Sequence, residues 1–122
     1  MFHAIADQME YLNGQTWDHL HYREIAVEEL EREKRINEGQ SNKYLGFFTN
    51  MQEMEEHIEK MRKTGEWGTN VELQAIANVL NLKINIVTEQ KDKTRTSYLI
   101  HPNQDPNIIV SFEIYLIYEN II

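Results

Sequence analysis

Apolar residues at Phe2, Ile5, Ala6, Met9 and Leu12 follow helical spacing and predict a first helix over Phe2 to Leu12. Asn13-Gly14 ends it, because both residues tolerate the left-handed conformation of a helix stop. Thr16 is the candidate N-cap of a long second helix to Ile36, with Asp18 in its first turn and Trp17, Leu20, Val27 and Leu30 as its apolar stripe. The alternating charges Glu31-Arg32-Glu33-Lys34-Arg35 read as a solvated helix end. After a polar connection, Asn37 to Asn42, the cluster Tyr44, Leu45, Phe47 and Phe48 reads as core. Asn50 and Glu53 make a capping-box start. Met51, Met54, Ile58 and Met61 then share one face, read as the core side of an amphipathic helix. A promiscuous binding groove is the competing reading of that methionine stripe. Lys60, Arg62 and Lys63 suit the end of this helix, and Gly65 supplies its stop.

Thr69 with Glu72 is a second capping box, opening a helix from Asn70 to Leu80. Val71, Leu73, Ala75, Ile76, Ala77, Val79 and Leu80 cover almost its whole circumference, which predicts a buried, central helix. Period-two alternation over Lys83 to Val87 puts Ile84 and Ile86 on one face of a strand. A charged turn, Glu89 to Thr94, leads to a second strand, Ser97 to Ile100, ended by Pro102. Beyond the loop Asn103 to Asn107, Ile108 to Phe112 and Glu113 to Tyr118 read as two strands or one bent strand, covered on both faces. Helices followed by strands give an α+β class, and no internal repeat or low-complexity tract divides residues 1–122.

Composition narrows the chemistry. The 122 residues fit one domain, and 41% hydrophobic content fills one core. Twenty acidic against twelve basic residues give a formal net charge of −8, which repels phosphate backbones and anionic lipid. Nucleic acid and membrane surfaces are therefore poor partners, and basic protein faces are better ones. There is no cysteine, hence no disulfide, no thiolate zinc site and no thiol nucleophile within these residues. No HExxH or clustered-histidine spacing offers a metal centre, and His19 and His21, two apart on a helix, diverge. No cofactor is expected. With no spanning apolar run and no signal-peptide pattern, the expectation is an intracellular, cytoplasmic protein.

Four stretches together resemble the OTU (ovarian-tumour) family of deubiquitinases. Met1-Phe2-His3-Ala4-Ile5-Ala6-Asp7-Gln8 is similar to the continuation of its D-G-N-C-L-F-R-A-I-A opening. His19-x-x-Tyr22-Arg23 resembles its H-x-x-L-R helix, and Gly65-Glu66-Trp67-Gly68-Thr69-x-x-Glu72-Leu73-x-Ala75 its W-G-G-x-x-E-L-x-A signature. Phe112 to Tyr118 resembles the strand that runs into its catalytic His-Tyr pair. The resemblance implies a papain-like fold, a mixed sheet between helices, and thiolate attack on the isopeptide carbonyl at the ubiquitin C-terminus. It also implies that residues 1–122 are the interior of such a domain: the family's Cys precedes the position of Met1, and its His follows Tyr118.

No catalytic residue is therefore carried over, and none of the five histidines takes the role of base. Lacking both groups costs about six powers of ten in turnover, so the chain as given is expected to be inert and at most a weak binder of ubiquitin or a ubiquitin-like protein. The resemblance places Trp67, Gly68 and Thr69 beside the channel for the ubiquitin tail, where glycine lets two backbones approach. Alternatively, Trp67 anchors the core and Gly68 permits the turn into the helix. Glu72 reads as a cap. Arg23, on the arc of Leu20 and Leu30, reads as a partly buried, paired guanidinium. Two further readings stand beside an inactive OTU-like domain: a cropped segment of an active enzyme, and an interaction module that exposes its methionine face.

Overall fold

The computed structural model of the chain describes residues 1–14, 16–37, 42–63 and 66–119. The interior of the Asn37–Asn42 connection and the Gly65 helix stop lie outside the described residues. Among these residues four α-helices, α1 (Phe2–Asn13), α2 (His19–Ile36), α3 (Met51–Met61) and α4 (Asn70–Leu80), precede three strands, β1 (Leu82–Glu89), β2 (Arg95–Ile100) and β3 (Phe112–Glu119).

Local signals set most boundaries. α1 buries Phe2, Ile5, Ala6 and Met9, and ends at Gly14, whose φ of 74° is left-handed and whose N–H bonds the Glu10 carbonyl. α3 starts where Asn50 accepts a hydrogen bond from the Glu53 N–H at 2.9 Å, while the Glu53 carboxylate accepts from the Thr49 N–H at 3.0 Å. Its Met54, Ile58 and Met61 are buried, so the methionine face is core. α4 carries the predicted Thr69–Glu72 capping box. It buries Val71 through Ala77 without a break and packs on α2 and β1, while Val79 near its end is exposed.

The start of α2 differs from the reading of the sequence. Asp18, not Thr16, is the N-cap: its extended backbone precedes the first helical residue and its carboxylate accepts from the His21 N–H at 3.1 Å. Trp17 consequently lies outside the helix. Trp17 and Leu20 are exposed, and the buried face runs through Tyr22, Arg23, Ala26, Val27, Glu29, Leu30 and Glu33. Glu33, expected in solvent, is 1% exposed and accepts hydrogen bonds from Asn37 Nδ2 and from the Lys43 N–H. Of the aromatic cluster, Tyr44 is fully buried, whereas Phe47 is exposed.

The sheet has the order β2-β1-β3, with β1–β2 antiparallel and β1–β3 parallel. Ile84 pairs with Ile100 on one side and Ile114 on the other, and Ile86 pairs with Leu116, so one sheet face is a continuous aliphatic layer. All five are buried, each contributing about 1.5–3 kcal/mol of apolar transfer. β3 begins only at Phe112: Ile108 to Ser111 is not strand, and Ile109 is 91% exposed. Nor is β3 covered on both faces. Tyr115 and Ile117 are exposed on the side opposite Ile114 and Leu116. The class is α+β with a mixed sheet, as expected; among the described residues the helices pack on its aliphatic face.

Candidate substrate cleft

Residues 66–69 lead into α4, and both ends of this short segment are fixed by polar contacts. At its start, Arg23 of α2 is buried, with its guanidinium 4.7 Å from the centre of the Phe2 ring. Arg23 Nη1 donates to the Met61 carbonyl at 3.2 Å, and Nη2 donates to the Glu66 carbonyl. These are the partners that the sequence left unnamed. At its end, the Thr69 N–H and hydroxyl both donate to Glu72 Oε1 at 2.8 Å. Glu72 is the predicted cap, and it also meets His57 Nε2 at 2.6 Å through its other oxygen. Sequence reading missed His57, which lies fifteen residues away on another helix and carries no local signal.

Trp67 is 80% exposed, which removes the core-anchor reading. Gly68 is a point of close approach: a Cβ there would overlap Met1 Sδ and lie 3.1 Å from Met1 Cε and 3.2 Å from Phe2 Cε2. The loop therefore rests directly on the first residues of α1. Two clefts meet at this contact and share Met1, Trp67 and Gly68. One, of about 180 Å³, is bounded further by His3, His19 and Arg23, the two imidazole rings stacking at 3.8 Å. The other, of about 220 Å³, runs over Thr69 and Leu73 to Thr88 and Tyr98. Tyr98 Oη closes its far side by donating to Asn70 Oδ1 at 2.7 Å. Thr88, in the lining of this cleft, pairs in register with Tyr118 of β3. Trp67 and Gly68 line both clefts, and Thr69 lines the second.

The α-amino group of Met1 is held below its ordinary pKa by burial first, and by the Arg23 charge second. An anion at this helix end meets that same guanidinium and the helix dipole with the opposite, favourable sign. Among the described residues no group of three or more His, Cys, Asp or Glu side chains converges for a metal, and no helix is long and apolar enough to cross a membrane.

Comparison with known proteins gives the family. The model of the OTU-like cysteine proteases matches residues 1–120. The chain is 32% identical over 105 residues to OVARIAN TUMOR DOMAIN-containing deubiquitinating enzyme 11 of Arabidopsis thaliana, covering 86% of this chain and 38% of that protein. It is 33% identical over 91 residues to deubiquitinating enzyme 10 of the same plant, covering 75% and 22%. The chain thus spans well under half the length of either relative. Among solved structures, the OTU domain of OTUD1 superposes with a TM-score of 0.60 at 20% identity, covering 95% of this chain and 69% of that one. The viral OTU domain protease from Qalyub virus gives 0.65 at 18% identity, with 98% and 70% covered. These two likenesses establish the fold, and the match over residues 1–120 establishes the descent: the chain belongs to the OTU-like cysteine protease family.

Proposed function

We propose that residues 1–122 form a ubiquitin-recognising OTU domain whose cleft along Trp67, Gly68 and Thr69 receives the ubiquitin C-terminal tail, and that these residues alone do not cleave the isopeptide bond. The observation that carries this reading is the seating of Gly68 on Met1 and Phe2. Gly68 adds no side chain at this contact, where two clefts lined by Met1, Trp67 and Gly68 meet at the N-terminus of α1. The positive field there suits a carboxylate or a developing oxyanion. Thiolate attack needs sulfur, and none of the 122 residues is a cysteine. An acidic surface of net charge −8 complements a partner with a basic face. Acting on ubiquitin implies an intracellular, cytoplasmic setting.

The test is an NMR titration of the labelled chain with ubiquitin. Perturbation of the Gly68 and Thr69 amides and of the ubiquitin tail residues is the expected result. Absence of any perturbation at millimolar protein overturns the binding claim.

One observation favours a second reading, that this segment belongs to an active enzyme. Met1, at the N-terminus of α1, and Thr88, the β1 residue that pairs with Tyr118 of β3, line one cleft. A Cys preceding Met1 and a His following β3 would face each other across it. The flanking coding sequence decides: Asp-x-x-Cys upstream with His-Tyr downstream supports this reading, and a genuine start and stop at these boundaries supports the inactive form. The interaction-module reading loses its basis, since Met54, Ile58 and Met61 are core.

A further inference from the structure

We propose that His57 is a positioning residue for the Trp67–Gly68–Thr69 loop, acting through Glu72 to hold that loop in its tail-receiving shape. The inference rests on the reading of that loop as the ubiquitin channel, and it adds the helix that sets the channel's geometry.

A capping box needs one carboxylate oxygen, and Glu72 commits Oε1 to the Thr69 N–H and hydroxyl, both at 2.8 Å. Its side chain is fully buried at 0% exposure, so Oε2 requires a partner from the protein. His57 Nε2 fills that requirement at 2.6 Å. The imidazole is itself oriented by the Phe48 ring, whose centroid lies 5.2 Å away. The orientation of the Glu72 carboxylate, and hence of the Thr69 backbone, is therefore set from α3.

The other end of the loop is tied to the same helix. Arg23 bridges the carbonyls of Met61 and Glu66. His57 and Met61 are one turn apart on α3. Two adjacent points on one helix thus secure Glu66 and Thr69, leaving Trp67 and Gly68 as the span between two fixed posts. A cap that served only α4 would leave this span indifferent to α3.

The test compares His57→Leu, which keeps apolar bulk against Phe48, with His57→Gln, whose amide nitrogen can donate to Glu72 Oε2. Amide hydrogen exchange is read at Thr69 and, as an internal reference, at Ile76 and Ala77 in α4, alongside the ubiquitin titration. In H57L, exchange at Thr69, whose N–H is held by Glu72, is expected to rise about tenfold, the size of one lost hydrogen bond, with the reference amides little changed. Ubiquitin affinity is expected to fall about fivefold or more, and H57Q is expected to restore both. Equal acceleration at all three amides would overturn the proposal, showing a general stability effect. So would H57L behaving as wild type, or H57Q behaving as H57L. A wild-type chain that shows no ubiquitin contact at the loop removes the channel reading instead, whatever His57 does to exchange.

Discussion

A single methyl group at Gly68 would do more than most larger changes on the surface. Met1 can bend away from it, but the buried Phe2 ring 3.2 Å from the new carbon cannot. Gly68→Ala is expected to destabilise the fold by about 1–3 kcal/mol, the usual range for overpacking, and to weaken ubiquitin binding, as read by urea unfolding and titration. Unchanged stability would mean that the loop does not rest on α1. Glu72→Ala removes the cap and leaves His57 and the Thr69 N–H without their shared acceptor, at an expected cost of about 2–4 kcal/mol. Tyr44→Phe tests a second buried network. The Tyr44 hydroxyl donates to Glu29 Oε2 at 2.7 Å and accepts from Asn78 Nδ2 at 2.8 Å. Burial first, and the Glu29 hydrogen bond second, push this phenol above its ordinary pKa, so it stays a donor throughout the accessible pH range. Its loss is expected to cost about 1.5–3 kcal/mol in a denaturation midpoint, because a charged acceptor loses its donor. What the sequence disclosed about side chains was local. The Thr69–Glu72 cap is a three-residue signal and was legible, as was the burial of Arg23 from its arc on α2. The Met61 carbonyl, 38 residues from Arg23, and His57, fifteen from Glu72, come together only in the tertiary fold.

Among the elements, the β1–β2 hairpin is the part most open to improvement. Its turn places Lys93 at a φ of 70°, a left-handed conformation that costs a non-glycine residue about 1–2 kcal/mol. The Lys93–Glu89 ion pair in this turn is exposed and screened, and offsets little of that. Lys93→Gly is therefore expected to raise stability by about 0.5–1 kcal/mol, visible as a higher thermal midpoint; a lower midpoint would contradict the turn geometry. The same hairpin carries an acid-sensitive group. Hydrogen bonds from the Thr94 hydroxyl first, and the Thr94 N–H second, hold Asp92 below its ordinary pKa. On β3, Glu113 is lowered by Asn85 first, then by Tyr115 and Lys83. Because both folded values are depressed, their contribution is present above the unfolded carboxylate pKa and is lost as pH falls through the folded ones. Carboxyl-detected NMR titration should find both below free Asp and Glu; ordinary values would remove these two contributions to acid sensitivity. α1, with its Asn13-Gly14 stop, and α4, with its Thr69–Glu72 start, were readable from the chain. The α2 start was not, since Thr16 and Asp18 are both good caps and only the path of the chain chooses between them. Ile108 to Val110 looked like strand because apolar residues there match strand composition, yet the β1 register begins pairing only at Phe112.

For the molecule as a whole, the formal charge of −8 makes ionic strength a direct probe of recognition. If a basic face of ubiquitin docks on this acidic surface, affinity is expected to fall as salt rises from about 0.05 to 0.5 M, because the Debye length shrinks below the spacing of exposed charges. Salt-insensitive binding would instead point to an apolar contact at the Trp67 cleft. The family itself was legible from four short stretches spread in order along the chain, because each encodes a local structural device: a helix start, a buried arginine, a glycine contact and a strand. Catalytic competence is a separate matter of which atoms are present. Incubating the 122-residue chain with a fluorogenic ubiquitin amide and a thiol-directed ubiquitin probe tests this most directly. No release above buffer and no covalent adduct are predicted; cleavage by this polypeptide alone, or an adduct on it, would contradict the proposal of an inert, ubiquitin-recognising domain.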